Sequence, residues 1–118
     1  MRLAVVSLSS GKTIAARVRV ADTFFTRLRG LLGTAKLPAG QALLLKPCDS
    51  VHTIGMRYPI DLIFLDVGGR VLKVAASLKP LRAMRCAGSR MVLELPAGTV
   101  LRTGVEAGHQ LLFEEGGV

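Results

Sequence analysis

Short apolar segments alternate with polar turns along the chain, and most of these segments have the length of β-strands. Residues 3–8 are mostly apolar, and residues 13–20 alternate with period two. The apolar positions of the second segment are expected on one face: Ile14, Ala16, Val18 and Val20. Arg17 and Arg19 are expected on the other face, as in a half-buried strand. Turn-forming residues 9–12 lie between the two segments and predict a β-hairpin.

Five later segments are also predicted as strands: residues 42–46, 60–66, 70–76, 91–95 and 110–115. Gly68-Gly69 separates the second and third of these, which predicts another hairpin. The segments Pro47–Pro59 and Lys79–Arg90 show no strand pattern. We therefore predict that both are irregular, the second being a basic loop.

Two segments have features of helices. Asp22–Leu32 begins with an N-cap residue and is followed by Gly33. Its apolar residues form a stripe at helical spacing: Phe24, Phe25, Leu28, Leu31 and Leu32. Thr99–Arg102 is at most a short helix, with Gly104 as its stop. Together the elements predict an α+β fold rich in antiparallel strands, rolled into a partly closed, barrel-like sheet that protects its edges.

Length and composition indicate one globular domain over residues 1–118. Half of the 118 residues are hydrophobic, which excludes intrinsic disorder. No apolar run approaches the ~20 residues of a membrane-spanning helix. The apolar start is shorter than a signal-peptide core, and two cysteines are too few for a disulfide framework. We therefore expect a cytoplasmic protein with reduced thiols and no membrane span.

The net charge of +8 indicates an anionic partner. Residues 1–59 carry a net charge of +7 and residues 60–118 only +1. Eight basic residues are candidates for one basic surface: Arg17, Arg19, Arg27, Arg29, Lys79, Arg82, Arg85 and Arg90. The predicted partner is an anionic ligand or an acidic protein surface. The alternative is that these residues only keep the surface of the protein solvated and bind no partner. With no Trp and one Tyr, any nucleic-acid binding is expected to be non-specific.

His52, Arg57 and Asp61 are the candidate ligand-binding residues. They lie in or directly after the segment Pro47–Pro59, which is dense in polar side chains. One hypothesis is a pocket that binds an anion through the arginine fork and the imidazole. The alternative is an internal polar cluster, in which a buried Asp61 pairs with Arg57 or His52 and braces the loop.

Cys48, His52 and Cys86 are candidates for a metal site or a nucleophile pair. No pair of them has zinc-knuckle spacing, and no glycine-framed oxyanion loop lies beside Cys48. Buried cysteines that act as small hydrophobic residues are the simpler interpretation. We therefore assign no catalytic residue, metal or cofactor. Glu94 is expected to cap the following helix or to pair with a nearby arginine.

Several segments resemble one prokaryotic family. They are Arg29–Gly33, Leu37–Gly40, Ser50–Leu72 (which includes His-Thr-Ile-Gly-Met-Arg-Tyr-Pro-Ile-Asp) and Val92–Gly98. Their order resembles the domain of unknown function 192, over about residues 21–113. The resemblance implies a compact, strand-rich single domain and no activity.

We therefore hypothesise a small non-catalytic binding or accessory module, whose partner is unknown. Its working surface would be formed by residues 48–61 and 79–90. One alternative is a small enzyme or metal-binding protein using Cys48, His52, Asp61 and Cys86. A further alternative is a non-specific nucleic-acid binder.

Overall fold

The computed structural model describes residues 3–23 and 37–115, which contain nine strands and one short helix. The strands are β1 Leu3–Leu8, β2 Thr13–Ala21, β3 Gln41–Leu45, β4 Ser50–His52, β5 Ile60–Leu65, β6 Val71–Leu78, β7 Ala83–Arg85, β8 Met91–Pro96 and β9 Leu111–Glu115. The helix, α1, spans Thr99–Thr103. Each predicted strand is present to within about two residues at either end. Most of the predicted helix Asp22–Leu32, including Arg27 and Arg29, lies outside the described residues.

Seven strands form one sheet in the order β6-β5-β8-β3-β2-β1-β9. Every neighbouring pair is antiparallel except β2 and β3, which run parallel. Both predicted hairpins, β1–β2 and β5–β6, are confirmed. The two remaining strands, β4 and β7, form a separate antiparallel sheet.

The two edge strands of the large sheet, β6 and β9, approach each other at their ends, where residues 69–71 bond to residues 108–111. An isolated bridge joins Arg70 to Gln110, and Leu111 N–H donates to the Gly69 carbonyl at 2.9 Å. Gly69 has φ +85°, and a Cβ there would lie 2.9 Å from the Leu111 oxygen, so glycine is required. The sheet itself is not closed. The prediction of a mostly β-sheet domain with a short helix is thus confirmed, and a partly closed barrel remains a prediction.

Strand β2 contains a bulge that changes the predicted burial pattern. The amides of Ala16 and Arg17 both donate to the Gly40 carbonyl, at 3.0 and 3.1 Å. This extra residue shifts the pairing with β1 and places Ala15, not Ala16, in the core. The expectation that Ala16 faces inward is therefore wrong, because a bulge interrupts the period of two.

Each face of the large sheet carries its own apolar cluster. The first face holds the side chains of Val18, Leu44, Ile63, Leu93 and Leu95 among others, and α1 packs on this side through Val100. The second face holds Leu43, Leu45, Leu62, Phe64 and Val92. Val51 and Met56 close over this second cluster from outside the large sheet. Burial on both faces explains why β5 is apolar almost throughout and fully buried.

Helix α1 is short because glycine flanks it on both sides. Gly98 precedes it with φ +96°, and Gly104 ends it with φ +71°. Buried threonine hydroxyls fasten it, since Thr99 Oγ1 donates to the Pro96 carbonyl at 2.7 Å and Thr103 Oγ1 donates to the Thr99 carbonyl at 2.7 Å. The predicted short helix and its stop at Gly104 are confirmed. It is far too short to cross a membrane, and among the described residues no other helix is a candidate.

Candidate functional site

The second face of the large sheet is covered by two chain segments, residues 46–59 and 79–90, which together we call the covering layer. The first segment leaves β3 at one end of the sheet and enters β5 at the other. The second segment leaves β6 and enters β8, and so crosses the same face. The prediction that both segments are irregular is wrong in their middle parts, where β4 and β7 pair with each other.

The β4–β7 pair has one inward and one outward side. Val51 pairs with Met84, and both pack on the second apolar cluster. The flanking outward positions are exposed: Ser50, His52, Ala83 and Arg85. All six residues line a shallow depression of about 350 Å³. The alternation of a two-stranded ribbon therefore presents the His52 imidazole and the Arg85 guanidinium on the same outer surface.

Thr53 joins the two segments at one end of the layer. Its side chain is fully buried, and its Oγ1 donates to the Lys79 carbonyl at 2.7 Å and accepts from the Arg82 amide at 2.9 Å. The Thr53 amide donates to the Arg82 carbonyl at 2.7 Å, and its carbonyl accepts from the Leu81 amide at 3.3 Å. One threonine thus fixes the path of residues 79–82. Sequence reasoning did not single it out.

Ser89 joins the layer to the sheet at the other end. Its Oγ is buried within hydrogen-bond distance of three carbonyls, those of Cys48, Met91 and Leu65, at 3.1, 3.0 and 3.4 Å. The Cys48 amide donates to the Arg90 carbonyl at 3.0 Å. Since both ends and the middle are bonded, the layer is a well-fixed surface rather than a pair of loose loops.

The outer surface of the covering layer is strongly basic. The two segments contain six Lys or Arg residues and one acid, Asp49, a net charge of +5. Five of the cationic residues are exposed: Arg57, Lys79, Arg82, Arg85 and Arg90. An ion pair on this surface joins the Arg85 guanidinium to Asp49 at 3.9 Å, and both side chains are largely solvated. Such a pair contributes little to stability and leaves the surface positive.

The structure separates the three predicted ligand residues. Asp61 is fully buried on the first face, and its two oxygens accept from the amides of Ser77 at 2.8 Å and Val100 at 2.7 Å. Its partners are therefore backbone groups, and the expected pairing with Arg57 or His52 is wrong. The side chains of His52 and Arg57 are exposed on the covering layer, over the opposite face. A ligand role for these two residues remains a prediction.

The predicted basic surface is spread over different parts of the fold. Its last four members, from Lys79 to Arg90, lie on the covering layer. Arg17 and Arg19 lie on β2, and Arg19 pairs with Leu43, so its side chain lies on the same face of the sheet as the layer. Arg27 and Arg29 fall outside the described residues. An eight-residue surface therefore remains a prediction.

The two cysteines of the covering layer are half-buried thiols that form no disulfide with each other. Cys48 Sγ donates to the Ser50 carbonyl at 3.1 Å, and Cys86 Sγ lies 3.7 Å from the Ala87 carbonyl. Both pack against the second apolar cluster, as small hydrophobic residues do. Within residues 3–23 and 37–115, no three His, Cys, Asp or Glu side chains are grouped as they would be around a metal ion.

Glu94 is buried in the middle of β8. It is 3% exposed, and its neighbours on the adjacent strands are Leu43 and Leu62, on the second face. Its Oε1 makes no hydrogen bond to the described part of the chain. Burial raises the pKa of Glu94 to about 7. The expected roles are wrong, because the Val100 amide in the first turn of α1 donates to Asp61 and not to Glu94, and Glu94 forms no ion pair with a described residue.

The sequence did carry a signal for this residue. Glu94 is the one acid inside the apolar run from Met91 to Leu95, and leucines flank it on both sides. A charged residue at the centre of a strand buried on both faces must lose its water shell. The pattern therefore predicts a buried carboxyl more strongly than a helix cap.

These features define a small, sheet-rich domain with a basic layer over one face. The family model DUF192, described as an uncharacterised group, matches residues 5–113. The chain belongs to this family of domains of unknown function. It is similar to a UPF0127 protein of Thermococcus sibiricus, which is 31% identical over 93% of this chain and 74% of the relative. It is also similar to a UPF0127 protein of Pyrococcus furiosus, which is 31% identical over 91% of this chain and 95% of the relative.

Two solved structures share the fold. One is a protein of unknown function from Novosphingobium aromaticivorans, with a TM-score of 0.81, 23% identity and coverage of 93% of this chain and 83% of that chain. The other is a candidate transcription regulator from Sinorhizobium meliloti, with a TM-score of 0.83, 23% identity and coverage of 95% and 92%. At this identity the likeness establishes the fold.

Proposed function

We propose that the protein is a non-catalytic binding module whose covering layer binds anionic groups. One observation carries the proposal. Residues 46–59 and 79–90, which are far apart in sequence, pair into one surface with a net charge of +5. Arginine is the main cation there, and its planar fork suits phosphate and carboxylate oxygens.

The rigidity of the surface supports the proposal. Thr53, Ser89 and the β4–β7 ladder fix the backbone that carries the exposed cations. Binding an anion therefore costs little loop entropy. The scaffold beneath is a sheet whose edges are bridged, and we infer that it acts as a partly closed barrel. We also infer a single domain in the cytoplasm, where phosphate-bearing ligands and acidic protein surfaces are both available.

Binding to a polyanion tests the proposal. The probe is immobilised heparin, a sulfated polysaccharide, and the readout is the salt concentration that elutes the protein. The layer variant is Lys79→Gln/Arg82→Gln/Arg90→Gln. The control variant is Lys12→Gln/Arg70→Gln/Arg102→Gln, which changes three exposed cations outside the layer and has the same net charge.

We expect the layer variant to elute at a clearly lower salt concentration than the control variant, because each lost contact with the polyanion removes a counterion release that favours binding. Equal shifts in the two variants would show that overall charge, and not this surface, attracts the anion. Elution of the wild type without added salt would contradict the proposal altogether.

A second candidate function, a small enzyme or ligand-binding protein, is favoured by Glu94. A buried carboxyl with a pKa raised to about 7 is suited to gain or lose a proton near neutral pH. NMR titration of the ¹³C-labelled carboxyl tests the first requirement. A midpoint near pH 4.5 would remove the case for this candidate.

A further inference from the structure

One end of the covering layer combines exposed aliphatic side chains with cations. We call residues 53–57 and 79–82 the tip. Ile54 is 58% exposed and Leu81 is 70% exposed. The tip carries Arg57, Lys79 and Arg82 and contains no acid. The Leu81 amide donates to the Thr53 carbonyl, so the two aliphatic residues belong to neighbouring turns.

The backbone holds both aliphatic residues outward. Residues 53–56 form a turn in which the Met56 amide donates to the Thr53 carbonyl at 3.1 Å and Gly55 has φ +86°. Glycine is favoured at that third position of the turn, and Ile54 occupies its outer corner. Met56 is buried in the second apolar cluster and anchors the turn.

Leu81 is unfavourable for stability in two ways. Its φ of +62° is in the left-handed region, which is costly for a branched side chain with a Cβ. Its apolar side chain is also left in water. Strain that the surroundings hold in place, here through Thr53, is characteristic of functional positions.

We propose that the tip docks on an anionic lipid surface, with Ile54 and Leu81 entering the headgroup layer while Arg57, Lys79 and Arg82 contact lipid phosphates. This inference rests on the proposed anion-binding function and names its source of phosphate. A lipid surface fits because the aliphatic side chains are exposed on turns, and because the three exposed cations of the same two turns complement an anionic leaflet.

Vesicle co-sedimentation tests the inference. The probes are vesicles of phosphatidylcholine alone and vesicles with 30% phosphatidylglycerol. The variant is Leu81→Asn, since asparagine tolerates the left-handed conformation but has no aliphatic surface. The matched control is Leu101→Asn, which removes a leucine that is 86% exposed on α1, over the other face. A second variant, Lys79→Gln/Arg82→Gln, removes two charges of the tip.

We expect binding to the anionic vesicles and none to the neutral ones. Leu81→Asn should weaken binding about fivefold, with a melting temperature equal to or above that of the wild type. Each removed charge should weaken binding about fivefold. Leu101→Asn should bind like the wild type.

Three results would overturn the inference. The first is heparin binding without vesicle binding, which leaves the proposed function intact and assigns the phosphate to another source. The second is equal vesicle binding by Leu81→Asn and Leu101→Asn. The third is binding to an acidic, leucine-containing peptide that depends on Leu81 when vesicles are not bound, which would identify the partner as a protein. Absence of binding to every polyanion would instead contradict the proposed function.

Discussion

Two buried carboxyls lie on adjacent strands and on opposite faces of the same sheet, and their surroundings differ sharply. Asp61 on β5 pairs with Leu95, and Glu94 on β8 pairs with Leu62. Asp61 accepts two backbone N–H groups, whereas Glu94 Oε1 accepts none from the described chain. The apolar strands around them are similar, so the difference arises from what packs over each face.

The first face supplies Asp61 with amides that have no partner in a regular ladder. Between Ile60 and Leu62 the pairing with β6 shifts by one residue, and Ser77 has φ +53°, which turns its amide toward the carboxylate. The Val100 amide lies in the first turn of α1, where N–H groups lack helical acceptors. On the second face, Glu94 lies among apolar side chains, which offer its Oε1 no hydrogen bond. Irregular backbone thus accommodates a buried charge that apolar packing does not.

The largest effect should come from Asp61→Ala. It removes a fully buried carboxyl and leaves the part-buried amides of Ser77 and Val100 without their acceptor, and we expect a loss of about 3–5 kcal/mol in the free energy of unfolding. Urea denaturation measures it. The control is Asp66→Ala, whose Oδ1 also accepts two amides but lies in a solvated turn, so its loss should be about 1 kcal/mol. Equal losses would mean that burial does not distinguish the two sites.

Glu94→Gln should produce the next largest effect, and only above acidic pH. The folded-state pKa of about 7 exceeds the ordinary value of 4.5, so the protonated carboxyl contributes stability that is fully present below about pH 4.5. That contribution is lost as the pH rises toward and through 7, by about 3 kcal/mol in all.

Denaturation at pH 5 and pH 8 checks this prediction. The wild type should be less stable at pH 8 than at pH 5, and Glu94→Gln should remove most of that difference. The exposed Glu114→Gln serves as the control and should retain the wild-type dependence. A pH dependence that survives in Glu94→Gln would assign it to another group.

Thr53→Val should have a smaller effect, which tests how firmly the covering layer is held. Removal of the hydroxyl leaves the Arg82 amide without its Oγ1 acceptor, at a cost of about 1–3 kcal/mol. Amide hydrogen exchange should accelerate at residues 79–82 more than elsewhere. Thr13→Val, at an exposed strand position, is the control and should change stability by less than about 0.5 kcal/mol. Unchanged exchange in Thr53→Val would show that the β4–β7 ladder alone fixes the tip.

Arg57→Ala should have the smallest effect on folding. Its side chain is exposed and makes no hydrogen bond or ion pair with the described residues, so we expect a change within about 0.5 kcal/mol. Thermal denaturation of Arg57→Ala, measured in parallel with Asp61→Ala, checks this prediction. A loss of several kcal/mol in Arg57→Ala would revive the polar cluster that the sequence allowed as an alternative.

The large sheet could be predicted from the sequence more fully than the covering layer. The strands around both clusters follow from apolar runs and from turn residues such as Gly68-Gly69, and α1 follows from its flanking glycines. β4 and β7 were missed, because three-residue strands are too short to show a period. Their pairing depends on contacts between residues more than thirty positions apart. A buried Asp61 was only one of two alternatives that the sequence left open, and the partners inferred from nearness in sequence were wrong.

The sequence by itself determined the sheet-rich fold, the family and the excess of positive charge, because strand patterns, turn glycines and charge are local or additive properties of the chain. Only the tertiary structure decided where that charge collects, which carboxyl is solvated by amides and which is not, and that Ile54 and Leu81 lie in neighbouring, outward-facing turns. Each of these depends on which distant backbone groups meet. A one-residue bulge such as that at Ala16 or Ser77 changes which groups those are, and the hydrophobic pattern does not reveal it.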